Sequence, residues 1–405
     1  EDPDFRRALQ RLWTQWTEKS DAGGRHPWYD QQWQAVWSWL EAGEVFLRLR
    51  KRLPSDGLRV PIQIQVIEAE LCPHTYNAVR PNGNKVRAGI EFDRIGRRVA
   101  YWFYSFRPGD PNEWDINDFR RVPAKWVIHL FDEVRPGQIR GIPHLTQGLI
   151  RLHELDKYDD ATLLRQQIGN LYAMFITQPA GDLSSGLNPV TGLAPDATRG
   201  DRDVIGLEPG ISHELAPGED LKFSDPPDPP STYPDFIKQQ LMSFASAARV
   251  PYEVLTGDMR GLNDRVMRVI LHEFRRRIQA WQHNLVADQL CQTVWNWWMD
   301  QVFVSGVLPI PEAYTEDPAP WTEVKWVPQG WPYIHPVQDV VAAEKAIKAG
   351  FTSRSAIVSE QGEDAEVIDE EQAADNARAA EMGLAYETST GRASAAVPAT
   401  EGATA

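Results

Sequence analysis

The sequence predicts an α+β protein in which helices and strands fall in separate stretches rather than alternating. Three observations carry this reading. Apolar residues recur at helical spacing over residues 4–19 and 28–42. Strand-like runs VFLRLR (45–50), VPIQIQVIEAE (60–70), KVRAGIEFDRIGRRVAYWFY (85–104) and AKWVIHLF (124–131) follow. After residue 143 the helical period returns in long stretches, about 144–176, 233–249 and 263–304.

The two opening helices are rich in tryptophan: Trp13, Trp16, Trp28, Trp33, Trp37 and Trp39. The spacings Trp13/Trp16 and Trp33/Trp37 are helical and point to core packing, with a sugar-stacking platform as the alternative use. Asn82-Gly83 and Arg94-Ile95-Gly96-Arg97 supply turn chemistry between the strands. Glu68 and Glu70 sit on alternate residues of the second run, a spacing compatible with paired carboxylate chemistry, but no partner motif accompanies them.

In the stretch 144–176, Leu149, Leu152, Leu155, Leu163, Leu164 and Ile168 supply apolar positions. His153, Asp156 and Asp160 read as a solvated charged face rather than metal ligands, because no further ligand follows at useful spacing. Between Gln178 and Pro230 the texture turns to Gly, Pro, Asp and Ser, with ten Asp/Glu against three Lys/Arg and two short strands, RDVIGLE and DLKFSD. The helix 233–249 carries Ser243, Ala245, Ser246, Ala247 and Ala248, which suit close helix packing. A Gly-marked loop, Thr256-Gly257-Asp258-Met259-Arg260-Gly261, leads to a helix capped by Asn263 or Asp264. Its apolar stripe is Ile270, Phe274, Ile278, Trp281 and Leu285; unbroken to 304, it spans about 60 Å. WTEVKWVPQGW (321–331) reads as a returning strand, and 336–384 as three helices, with Ser353 or Ser355 capping the second and Gly350 and Gly362 at helix ends. The tail from 386 has a disorder-prone composition.

At 405 residues the chain can bury several cores, so two to four folding units are expected. No apolar run approaches the roughly 18 residues of a membrane span. The chain opens at Glu1-Asp2-Pro3, inside a predicted helix and without a methionine, so an N-terminal portion is expected to precede it. Cys72 and Cys291 cannot form a disulfide framework or a zinc site alone, and read as buried small hydrophobes. GxxxxGK[ST], HExxH and GxSxG are all absent, so neither catalysis nor a cofactor is expected.

Several segments in order resemble the portal proteins of lambda-type tailed bacteriophages. They are VPAKWVIHLFDEVRPGQIRGIP (122–143), LIRLHELDKYDDATLLRQQI (149–168), Asp225-Pro226-Pro227-Asp228-Pro229, VPYEVLTGD with Asn263 and HEFRRRI, and IKAGFTSRSAIVSEQGED with AADNARAAEMGL. At Asp264-Arg265-Val266 this chain departs from the Tyr and small hydroxyl residues that the family often carries. The resemblance implies a portal fold: wing 1–143, stem helix 144–177, clip 178–230, second stem helix 231–250, tunnel loop with long helix and wing return 251–334, crown 335–385 and tail 386–405. It implies a dodecameric ring at the capsid vertex, assembled in the host cytoplasm, through which double-stranded DNA passes without sequence preference. Terminase large subunit, head-completion or adaptor protein and major capsid protein are the implied partners, with no membrane. Arg260, Asn263, Asp264, Arg265 and Arg268 would line the channel; Asp201, Asp203, Glu208, Glu214, Glu219 and Asp220 would dock partners. A net charge of −15 suits a conduit that must not grip its DNA. The alternative is a carbohydrate-active or tail-associated virion protein that uses the tryptophan-rich region.

Overall fold

The computed structural model describes residues 3–109, 118–170, 174–177, 220–223, 233–309 and 313–384. It divides into two compact units, one of residues 1–145 and 258–405, the other of 146–257.

In the larger unit, α1 (Pro3–Thr17) and α2 (Trp28–Ala42) form where the helical period was read. Trp28, Gln31, Ala35 and Trp39 bury one stripe of α2. Gly43 ends the helix at φ 82°, its N–H bonded to the Trp39 carbonyl. A Cβ on Gly43 would lie 2.2 Å from the Ile142 carbonyl carbon, so only glycine lets the 141–143 segment pass there.

Eight strands follow: β1 (Glu44–Lys51), β2 (Ile62–Glu68), β3 (Ala78–Val79), β4 (Lys85–Arg87), β5 (Ile90–Phe92), β6 (Arg98–Tyr104), β7 (Phe119–Pro123) and β8 (Val127–Phe131). They make two antiparallel sheets, β2-β1-β8 and β3-β4-β5-β6-β7. Alternation along β1 divides two cores. Val45, Leu47 and Leu49 face the helices, where Trp13 packs edge-on against Trp295 and Trp298 at 5.0 and 5.1 Å. Phe46 faces the second core with Ile90, Tyr101, Phe103 and Val122. Glu70 does not share a strand face with Glu68: it lies in a 3-10 turn (Ala69–Leu71), and Glu68 pairs with Arg107 at 3.1 Å. The two carboxylates therefore form no catalytic pair.

Glu44, 4% exposed, anchors the junction of these layers. It accepts hydrogen bonds from His129 Nε2 at 2.9 Å, Arg140 Nε at 2.6 Å and the Gly141 amide at 2.8 Å. Arg140 also donates to the carbonyls of Cys72, Ala88 and Ala69. Burial works to raise the Glu44 pKa, but the hydrogen bonds and charges of His129 and Arg140 outweigh it and hold the carboxyl at about 2. Burial lowers His129 despite Glu44, so the imidazole donates to the carboxylate in its neutral form. Cys72 and Cys291 are buried free thiols, each pushed up to about 12 by burial.

Trp13, Trp16, Trp28 and Trp39 lie in the core as the spacing implied. Trp33 and Trp37 do not: they are 69% and 59% exposed and lean on each other at 6.2 Å. Their i,i+4 spacing is satisfied by each other on the outer face of α2.

In the smaller unit, α3 (Thr146–Asn170) packs on α4 (Tyr233–Ala248). Gly148 makes the close approach possible, since a Cβ there would fall 2.5 Å from Phe244 Cδ2. Arg151 Nη1 donates to Ser243 Oγ at 2.6 Å, and Tyr233 bonds Asp159. His153, Asp156 and Asp160 are exposed on α3. The helix stops before the expected 176, because Met174–Thr177 (β9) pairs with Asp220–Phe223 (β10). RDVIGLE and the tail from 386 lie outside the described residues. α5 (Tyr252–Thr256) closes this unit's chain.

The long helix is continuous but not uniform. α6 (Asp264–Trp281) passes through a π-wound stretch, Gln282–Gln292, into α7 (Thr293–Ser305). In π winding, residues five apart share a face, which puts both Leu285 and Leu290 in the core. The stretch 321–331 is not a strand. Ala319–Thr322 is a helical turn (α9, after α8, Ala313–Glu316), and 323–331 has no regular structure. Its apolar alternation serves packing on the long helix: Trp321, Val324 and Trp326 reach the first core, and Trp326 Nε1 donates to Gln292 Oε1 at 3.0 Å. Prolines 328 and 332 lack the N–H a ladder needs. Three helices follow, α10 (Pro336–Lys348), α11 (Arg354–Glu360) and α12 (Ala365–Glu381), with Ser353 capping α11. Arg6 and Arg7 of α1 pair with Glu366 and Glu370 of α12.

Candidate functional site

The loop and helix from Thr256 onward form a basic island in an acidic chain. Between Thr256 and Trp281 six arginines stand against three carboxylates, whereas the whole chain has 42 Lys and Arg against 57 Asp and Glu. Gly257 ends α5 at φ 70°, and Gly261 turns the loop at φ 77°. A Cβ at either would meet nothing within 4 Å, so glycine is required there by backbone conformation alone.

Arg260 grips Asp258 in a fork: Nε to Oδ1 at 2.8 Å, Nη2 to Oδ2 at 3.0 Å, with the Arg260 amide on Oδ1 at 3.2 Å. Its side chain is nonetheless 91% exposed, so the guanidinium faces solvent while neutralising the carboxylate beside it. Asn263, not Asp264, caps the helix, its side-chain oxygen accepting from Val266 N–H at 2.9 Å. Asp264 occupies the first turn, favoured by the helix dipole, and meets His335 Nε2 at 2.7 Å. It does not pair with Arg265. Among the described residues Arg265 and Arg268 make no ion pair. Arg265, Arg268, His272 and Arg276 follow at helical spacing along one face.

Two side-chain ties brace this helix. His335 holds its first turn. Further along, Arg275 stacks 5.1 Å from the Trp331 ring and donates to the Pro332 carbonyl. The sequence had no signal for either, since the partners are 71 and 57 residues away. Of the acid-rich set, Asp220 begins β10, and Asp201, Asp203, Glu208, Glu214 and Glu219 lie outside the described residues. The second missed feature is basic: Arg48, Arg50, Lys51 and Arg52 place four cations in five residues of an otherwise acidic chain.

A mixed α/β scaffold carries this braced, arginine-bearing helix. The profile of the family described as phage portal protein, lambda family, matches residues 1–282, and the chain belongs to that family. The probable portal protein of Halomonas phage phiHAP-1 is 28% identical over 380 residues, covering 90% of this chain and 68% of that protein. The portal protein of Escherichia phage N15 and portal protein B of Escherichia phage lambda are each 22% identical, covering 70% of this chain. The chain spans little more than half the length of these two relatives, 57% and 56%. Among solved structures it is similar to a chain of a native gene transfer agent virion, at 14% identity and TM-score 0.42, covering 88% of this chain and 84% of that one. A chain of the neck of an empty gene transfer agent particle is similar at 15% identity and TM-score 0.42, covering 86% and 82%. Portal proteins are structural components of the phage particle and not enzymes, and the carbohydrate-active alternative has no support. No helix among the described residues is long and apolar enough to cross a membrane.

Proposed function

We propose that this chain is the subunit of a ring, dodecameric in the virion, that conducts double-stranded DNA at one capsid vertex during packaging and ejection. In this reading residues 1–143 with the return through 334 form the wing. The segments 144–177 and 231–250, built on α3 and α4, form the stem, 178–230 the clip and 335–385 the crown. The observation that carries it is the basic island: a glycine-jointed loop on a braced helix, with Arg265 and Arg268 unpaired among the described residues. Such cations meet phosphates without reading bases, and their small number keeps contact weak enough for DNA to move. Arg260 contributes less, because Asp258 already neutralises it. Asn263 and Asp264 position the helix start rather than touch DNA. The acid-rich clip, from Asp201 to Asp220, would dock the terminase large subunit during packaging and the head-completion or adaptor protein afterwards, while the wing would meet the major capsid protein.

The test is direct. Negative-stain images of purified protein should show rings with a central hole, and Arg260→Ala/Arg265→Ala particles should form the same rings yet package or retain DNA abnormally. Normal packaging and full-length retention in that variant would remove the contact role of the loop; an absence of rings for the wild type would overturn the conduit reading.

A further inference from the structure

The three-stranded sheet keeps its two faces chemically apart. Val45, Leu47 and Leu49 of β1 point to the helices, so Arg48 and Arg50, on alternate residues, point the other way. Arg120 of β7 lies near them: burial first, then the charges of Arg50 and Arg120, push the Arg48 guanidinium below its ordinary value. At the same end of β1, the Lys51 and Lys125 ammonium groups sit 4.7 and 4.8 Å from the centre of the Trp126 ring. Among the described residues none of these five cations makes an ion pair, although the chain carries a large excess of acid. Like charges held together without a counter-charge are unfavourable unless an anionic group arrives from outside.

The opposite imbalance lies in the helical layer. From Ile278 to Val324 the sequence holds six Asp and Glu and not one Lys or Arg. This stretch packs on the other side of the sheet, with Leu285, Val294, Trp298 and Tyr314 in the first core. Glu316 and Glu323 are exposed and, among the described residues, unpaired. The sheet therefore separates Arg48 and Arg50 from these carboxylates within one subunit.

A closed ring is built from heterologous contacts, in which one surface of a subunit meets a different surface of the next. Copies that each carry −15 repel one another, and complementary patches at the junction offset that repulsion. We propose that the Arg48–Arg50–Arg120 patch of one copy docks on the Glu316–Glu323 segment of its neighbour, a contact that rests on the ring reading above and names its electrostatic seam.

The experiment measures ring formation of the full chain against protein concentration by mass photometry and negative stain. Arg48→Glu/Arg50→Glu should raise the concentration needed for rings by about tenfold or more, and wild-type assembly should weaken as salt rises. Adding Glu316→Lys/Glu323→Lys to the same chain should restore assembly, a rescue that a purely structural role for the arginines would not give. Arg48→Gln/Arg50→Gln, which removes charge without reversing it, should weaken assembly in the same direction and covers the case in which the reversed variant misfolds. Rings that form as readily in both arginine variants overturn the proposal, as does a well-folded reversed variant that the carboxylate swap fails to rescue. Unchanged rings with weakened binding to a mixed-sequence DNA duplex would assign the patch to nucleic acid and overturn it too. If the wild type forms no rings, the ring reading fails and takes this seam with it.

Discussion

Glu44→Gln is the most informative single substitution in the larger unit. The carboxylate is 4% exposed and holds His129, Arg140 and the Gly141 amide together where the helix-facing sheet meets the 140–143 crossing. Its pKa in the folded chain is about 2 against an ordinary value of 4.5, which corresponds to about 3 kcal/mol in favour of the ionised form. Glutamine keeps the shape but leaves the Arg140 charge uncompensated, a loss of the same order as that for breaking a buried pair. Urea unfolding followed by tryptophan fluorescence reads this unit, because Trp13, Trp16, Trp295 and Trp298 lie in its first core. The pH dependence sharpens the test. A carboxyl with a depressed pKa stabilises the fold fully above its unfolded value, so the gap between wild type and Glu44→Gln should be complete at neutral pH. It should shrink as pH falls from 4.5 and vanish near about 2. His129 acts earlier: its folded pKa lies below 6.5, so as pH falls through 6.5 the unfolded chain takes up a proton the folded chain refuses, and stability drops. A loss under about 1 kcal/mol at neutral pH, or a gap that stays constant into the acid range, would refute this account of the junction.

Gly148→Ala places a methyl 2.5 Å from Phe244 Cδ2 and should destabilise the α3–α4 pair by about 1–3 kcal/mol; a melting temperature equal to wild type would contradict the close crossing. Arg265→Ala/Arg268→Ala should lower the salt dependence of DNA association by a log–log slope of roughly 0.9 per lost phosphate contact, and an unchanged slope would exclude both residues. His335→Ala should cost under about 1 kcal/mol, since its pair with Asp264 is partly exposed, yet speed hydrogen exchange at amides 264–268; unaltered exchange would mean the tie does not brace the helix. Reversing Asp201, Asp203 and Glu208 to lysine should leave rings intact and abolish binding of the packaging motor, and motor binding at wild-type strength would reject the docking role of the clip.

Local rules were readable in the sequence; long-range ones were not. Asn263 caps its helix and Gly350 and Gly362 follow the ends of α10 and α11 at φ 75° and 87° because caps depend on residues within one turn. β1 was plain in VFLRLR, where alternation follows from one strand facing two cores. β9 reads as the end of a helix because its partner, β10, begins 43 residues after it, and no window of periodicity spans that gap. WTEVKW alternates like a strand, but its aromatic residues are spaced to lie along a helix surface, and only the position of Gln292 decides between the two. The five-residue step from Leu285 to Leu290 does not fit an α period of 3.6 and is met by the π-wound stretch.

The same distinction separates the parts of the candidate site. The loop glycines, the cap and the arginine sequence are local, and the sequence alone shows them. What turns them into a working element is distant: His335 on Asp264 and Trp331 with Pro332 on Arg275 fix the helix that presents Arg265 and Arg268. If the proposed conduit reading holds, a loop that yields to moving DNA would need such a fixed base, since otherwise force on the arginines would bend the helix instead of displacing the loop at Gly257 and Gly261. Two features bear on where motion occurs: an intraloop fork joins Arg260 and Asp258, and the helix behind the loop is held at both its first and its fourth turn by another part of the chain. The first opens with a short-range fluctuation, whereas the second requires the 331–335 segment to detach. Amide exchange should therefore be fast through Asp258–Leu262 and slow beyond Arg268, and uniform exchange across both would show that the loop has no rigid base to move against.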